Sequence, residues 1–112
     1  MNNAYEIPNL RFSLPAGEDI PRRRFVSVNS SGEGVLATTS AIGVSMNEAA
    51  AGEVLEVADG IVVVEAGGAI EAGDSISVAE DGRAVTTTDG VVVGTALTSA
   101  ASANLFVTVK LL

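Results

Sequence analysis

The sequence predicts an all-β fold, a small barrel or sandwich, and three observations carry that prediction. From Phe25 onward, short runs rich in Val, Ile and Thr alternate with Gly, Asp and Asn. Asp59-Gly60, Asp81-Gly82 and Asp89-Gly90 punctuate those runs, with Glu33-Gly34 as a further break. Asp-Gly between apolar runs signals a hairpin, because the turn needs positive φ and glycine adopts it freely. Finally, 47% of the residues are hydrophobic, yet only Tyr5, Phe12, Phe25 and Phe106 are aromatic. The core must then be Val, Ile, Leu and Ala, and branched side chains suit sheets.

The runs place strands near Phe25–Val28, Val35–Thr38, Ile42–Met46, Val54–Val57, Ile61–Glu65, Ser75–Val78, Ala84–Thr87, Val91–Leu97 and Leu105–Leu111. The alanine-rich stretch Asn47 to Ala51 is too short to be more than a turn. At 112 residues the chain has room for one domain. A light core in a domain of this size gains from surface shared with other copies.

The chain divides at about residue 24. Pro8, Pro15 and Pro21, the only prolines, all precede that point. Proline lacks a ladder donor and biases its predecessor to extended geometry. Residues 1–24 therefore read as an extended N-terminal arm, and residues 25–112 as the barrel or sandwich. Tyr5, Ile7, Leu10, Phe12 and Leu14 are too apolar for a solvated tail. Two placements are open: the arm folds back over its own domain, or it reaches a neighbouring subunit or partner. In the second, Tyr5, Ile7, Leu10 and Phe12 bury against the neighbour while Arg22, Arg23 and Arg24 meet acidic groups. Deleting residues 1–24 should then abolish binding and leave a folded body.

An internal repeat runs through the second part. Gly43, Ala49 and Ala50 recur as Gly94, Ala100 and Ala101, an offset of 51 positions. Ile42 matches Val93, Met46 matches Leu97, and Val54-Leu55 matches Leu105-Phe106. Each copy reads as a strand, a small-residue corner and a return strand, which suggests a pseudo-symmetric barrel.

Charge and residue types exclude most chemistry. Six basic against fourteen acidic residues give a net charge of −8, which repels phosphate backbones and argues against nucleic acid as a partner. No apolar run is long enough for a membrane span and no signal peptide is visible, so a membrane partner is not expected. Histidine and cysteine, the usual zinc ligands and nucleophile–base partners, are absent, and the only lysine that could substitute as a base, Lys110, lies in a terminal strand. The carboxylates Asp59, Asp74, Asp81 and Asp89 fit turn geometry better than a calcium loop. A paired-carboxylate hydrolase would need two of them to converge with one pKa raised. No phosphate-binding loop and no dinucleotide motif occurs. The expectation is a non-enzyme with no cofactor and no metal.

Two resemblances bear on function. Ala49-Ala50-Ala51-Gly52-Glu53-Val54-Leu55-Glu56-Val57, Gly60 and Ile70-Glu71-Ala72-Gly73-Asp74 resemble biotinyl/lipoyl carrier domains. No lysine stands at a hairpin tip to carry the cofactor, so only the barrel-like sheet is kept from that likeness. The second resemblance spans about Arg24 to Leu112. Ile42-Gly43-Val44-Ser45-Met46-Asn47-Glu48-Ala49-Ala50-Ala51-Gly52-Glu53-Val54 is similar to the motif of the tailed-phage capsid cement, or head decoration, family. Gly60, Ala72-Gly73-Asp74, Asp81-Gly82-Arg83-Ala84, Val93-Gly94-Thr95-Ala96-Leu97 and a closing apolar-x-apolar strand follow in the same order.

That resemblance implies a small β-tulip-like domain, made in the host cytoplasm, that adds to the outer surface of an assembled head. It further implies homotrimers that contact the major capsid protein and bridge its subunits. The alternatives are another virion accessory, such as a head-fibre base or tail component, or a carboxylate-dependent hydrolase.

Overall fold

A computed structural model describes residues 7–112 of the chain, with side chains from Leu10 onward. These residues form nine strands and no helix: β1 (Ile7–Pro15), β2 (Phe25–Val28), β3 (Gly34–Leu36), β4 (Gly43–Ser45), β5 (Val54–Glu65), β6 (Ser75–Val78), β7 (Ala84–Thr86), β8 (Gly94–Ala96) and β9 (Phe106–Leu111). All pair antiparallel in one sheet of order β3-β2-β4-β5-β9-β8-β6-β7, with β1 added along β5. The fold is the all-β small barrel or sandwich that the composition and periodicity predict.

The turn dipeptides behave differently from one another. Asp81-Gly82 closes the β6–β7 hairpin, with Gly82 at φ 81°. The β2–β3 hairpin turns instead through Asn29 to Glu33 around Gly32, also at φ 81°, and Gly34 already belongs to β3. Asp89-Gly90 joins β7 to β8, which flank β6 on opposite sides and do not pair with each other. Asp59-Gly60 makes no hairpin at all. It lies inside the continuous 12-residue β5, because Ile61 is paired on one side with Ile7 and on the other with Lys110. Strand partners on both flanks override the local turn preference, and glycine tolerates the resulting φ of 111°.

The repeat extends well beyond the corner segment. β2, β3 and β4 recur as β6, β7 and β8 with the same pairings. The bridge Ile20–Ala49 recurs as Ile70–Ala100, and Ala16–Gly34 recurs as Ala66–Ala84. β5 serves both copies: its first part ends one and its second part opens the next. β1 is thus the counterpart of Ile61–Glu65, since Pro15↔Val54 and Phe12↔Val57 repeat as Glu65↔Phe106 and Val62↔Val109. The second corner is one residue longer, so Val54-Leu55 corresponds to Phe106-Val107 and not to Leu105-Phe106 as the sequence spacing suggests.

Residues 7–24 therefore take the first of the two placements, folded over their own domain. Ala16 and Ile20 are buried to 1% exposure inside a core cluster with Val26, Ala49, Leu55 and Val57. Pro8 and Pro15 fit because β1 is an edge strand, paired only with β5 among the described residues, where a missing N–H need not cost a ladder bond; Pro21 lies outside the strands. Deleting this segment would remove core side chains together with a strand, so a folded remainder is not to be expected.

The larger core cluster contains Phe25, Val44, Val62, Val64, Ile70, Ile76, Val107 and Val109. The repeated glycines have a packing reason. A Cβ on Gly43 would lie 2.5 Å from the Ala58 carbonyl oxygen, and one on Gly94 would lie 2.5 Å from that of Lys110. At both places a short strand crosses a longer one too closely for any side chain.

Candidate interaction surface

The described residues contain no group of three or more acidic side chains placed to hold a metal ion. The carboxylates instead fasten turns. Asp74 Oδ2 accepts from Glu71 N at 2.9 Å and Thr86 Oγ1 at 2.9 Å, and Asp81 Oδ1 accepts from Arg83 N at 3.2 Å. Asp19 Oδ1 and Glu53 Oε1 accept from Ala51 N and Ala50 N in the first corner. Asp19, Glu48 and Glu53 line one cleft of about 260 Å³ with Ile20, Pro21, Ala49 and Ala50, and there Asp19 and Glu53 each hold a backbone amide of the corner.

The residues proposed from sequence for partner binding are spread over several environments. Tyr5 lies outside the described residues, and for Ile7 the backbone alone is described, opposite Ile61. Leu10, opposite Asp59, is 56% exposed, whereas Phe12 packs half-buried against the smaller core cluster. Two residues apart in regular register, the two share a face of β1. Phe12, like Leu14, has the smaller core cluster beneath it, whereas Leu10, next to the register shift at Pro8, lies beyond that cluster.

The arginines also diverge. Arg22 is exposed. Arg23 holds positive φ, 64°, at the turn position that Gly73 fills in the second copy, and its Nη1 donates to Met46 Sδ at 3.6 Å. Arg24 turns inward, its side chain 13% exposed. Its Nη2 lies 3.6 Å from Glu65 Oε2 and its Nη1 donates to the Asp81 carbonyl at 3.1 Å. Glu65 also accepts from Arg83 Nε at 2.7 Å, and Arg83 reaches Asp81 at 3.1 Å. Four alternating charges thus tie the first copy to the second. Arg24 Nε is buried without a partner, so this tie is short of full satisfaction.

Sequence reading missed the exposed apolar side chains of the second copy. Val91 and Val92, read as the start of a strand, lie in the connector before β8 and are 49% and 36% exposed. With Ser40, Ala41, Ile42, Asp59 and Leu112 they line an open depression of about 370 Å³. Leu105 and Phe106 are exposed at the far end of β5, opposite Val54 at its near end. The signal was available by aligning the copies, since Ser40-Ala41 stands where Val91-Val92 recurs.

Comparison with known proteins supplies what geometry alone does not. The family model described as phage cement protein matches residues 6–111. Among solved structures, the head fiber gp8.5 N base in bacteriophage phi29 is similar, at a TM-score of 0.77 and 25% sequence identity, covering 92% of this chain and 93% of that one. No curated protein matches the chain.

Proposed function

This chain belongs to the phage cement protein family, and we propose that it binds the outer surface of an assembled phage capsid and braces it. It is a structural component of the virion and not an enzyme. The family match across nearly the whole chain carries the finer reading. In that reading homotrimers, made in the host cytoplasm, each touch several major capsid protein subunits. Multiple modest contacts then sum to high avidity. Because the trimer recognises the closed lattice and not free subunits, its binding energy stabilises the shell by linkage. An acidic outer coat, from a net charge of −8, keeps decorated particles dispersed.

Within the chain, Tyr5, Ile7, Leu10 and Arg22 are the proposed contacts to the neighbour, while Phe12, Arg23 and Arg24 hold the segment that presents them. The variants Leu10→Asp and Arg22→Glu test this by co-sedimentation with expanded capsids, with circular dichroism as the check on folding. Each should weaken capsid binding about tenfold while leaving the spectrum unchanged. Undiminished binding by both would refute the assignment of these contacts.

The likeness to a head fiber base favours a second reading, in which this domain is the foot of a fibre. Immunogold labelling separates the two, since a cement protein marks the whole head and a fibre base marks only where fibres stand.

A further inference from the structure

The two copies meet through a contact that is used only once. The tip of the β6–β7 hairpin, Asp81-Gly82, rests on the start of β2: Phe25 N donates to the Gly82 carbonyl at 2.7 Å, and Arg24 Nη1 donates to that of Asp81 at 3.1 Å. The fit is tight, since a Cβ on Gly82 would lie 3.0 Å from Leu36 Cδ2 and 3.0 Å from the Phe25 carbonyl oxygen. Phe25 is fully buried there.

The equivalent hairpin of the first copy has the same backbone. Gly32 N donates to Asn29 O as Gly82 N does to Ala79 O, and both glycines have φ 81°. Yet a Cβ on Gly32 would meet nothing within 4 Å, and Asn29 to Gly32 are exposed. The equivalent seat in the second copy, Asp74, Ser75 and Thr86, is also without a plug, and Ser75 is exposed where Phe25 is buried. One chain therefore carries an unused plug at one place and an unused seat at another. A contact of this head-to-tail kind leaves complementary ends for another molecule to fill.

We propose that the Ser30-Ser31-Gly32 tip of one chain docks on the Asp74-Ser75 seat of a second copy, repeating between molecules the contact made within one. Charge supports the match. Within the chain an acidic tip, Glu80-Asp81, meets Arg24; between chains an uncharged, hydroxyl-bearing tip meets Asp74. An acidic tip there would be repelled, and serine hydroxyls donate well to a carboxylate. The seat is polar where the internal one has Phe25 and Leu36, so the contact between copies is the weaker of the two. The proposal rests on the reading that copies of this chain associate.

Sedimentation equilibrium tests it, using the full chain, Ser31→Asp, and Ser31→Asp combined with Ser75→Lys, with circular dichroism to verify folding. The wild type should self-associate, Ser31→Asp should do so about tenfold more weakly, and the added lysine should restore it. A monomeric wild type, or an undiminished Ser31→Asp variant, overturns the proposal. Weakening without rescue overturns the pairing with Ser75. Co-sedimentation of the wild type with capsids, run alongside, reports on the capsid reading separately.

Discussion

The first and second copies of the repeat share a backbone and differ in what they present. Where the fold makes demands, the two agree: Gly43 and Gly94 permit the same close crossing, and Ile20–Ala49 and Ile70–Ala100 make the same bridge. Where the fold is indifferent they part. Arg24-Phe25 lies beneath a hairpin while Asp74-Ser75 faces outward, and the connector Ser40-Ala41 becomes Val91-Val92. The first copy supplies an internal control for the second. A side chain the fold does not need in one copy, yet exposed in the other, is free to serve a partner.

Substitution can break or sharpen that contrast. The largest effect belongs to the shared glycines: Gly43→Val and Gly94→Val should each destabilise by about 3 kcal/mol or more in urea denaturation, because the new side chain meets backbone. Near-equal losses would sharpen the equivalence, and a mild loss at one site would break it. Next come the divergent strand starts. Arg24→Ala removes the longer of the two contacts to Glu65, which is only 18% exposed, and leaves Arg83 at 2.7 Å, so a loss of about 1–2 kcal/mol is expected. Asp74→Ala, losing two turn bonds at the open seat, should cost about 1 kcal/mol. The smallest effect is at the connector, where Val91→Ser with Val92→Ser should change stability by less than about 0.5 kcal/mol, as its counterpart Ser40-Ala41 implies.

Fold class and most strand positions were legible in the sequence, because period-2 apolar runs and glycine turns are local signals. β2 and β6 appear at the predicted bounds, Phe25–Val28 and Ser75–Val78. Local signals failed where long-range pairing decides, as at Asp59-Gly60, held straight between partners on both sides. The repeat was visible where both copies kept Gly and Ala-Ala. It was hidden in the first 24 residues, where prolines and arginines mask the match of Ala16-Gly17 and Ile20 to Ala66-Gly67 and Ile70. The candidate surface was least legible. Leu10 and Phe12 share a face of β1 but only Phe12 has core beneath it, and Glu65 draws Arg24 inward; neither follows from a cluster read along the chain.

The proposed role, bracing an assembled head from outside, stands or falls on binding to the closed lattice. The direct measurement is the co-sedimentation of purified chain with expanded, genome-free capsids and with unassembled capsid subunits. A brace of the assembled head should show saturable binding to the closed lattice, none to free subunits, and a raised temperature for capsid rupture. Equal binding to free subunits, or a chain left wholly in the supernatant, would contradict it.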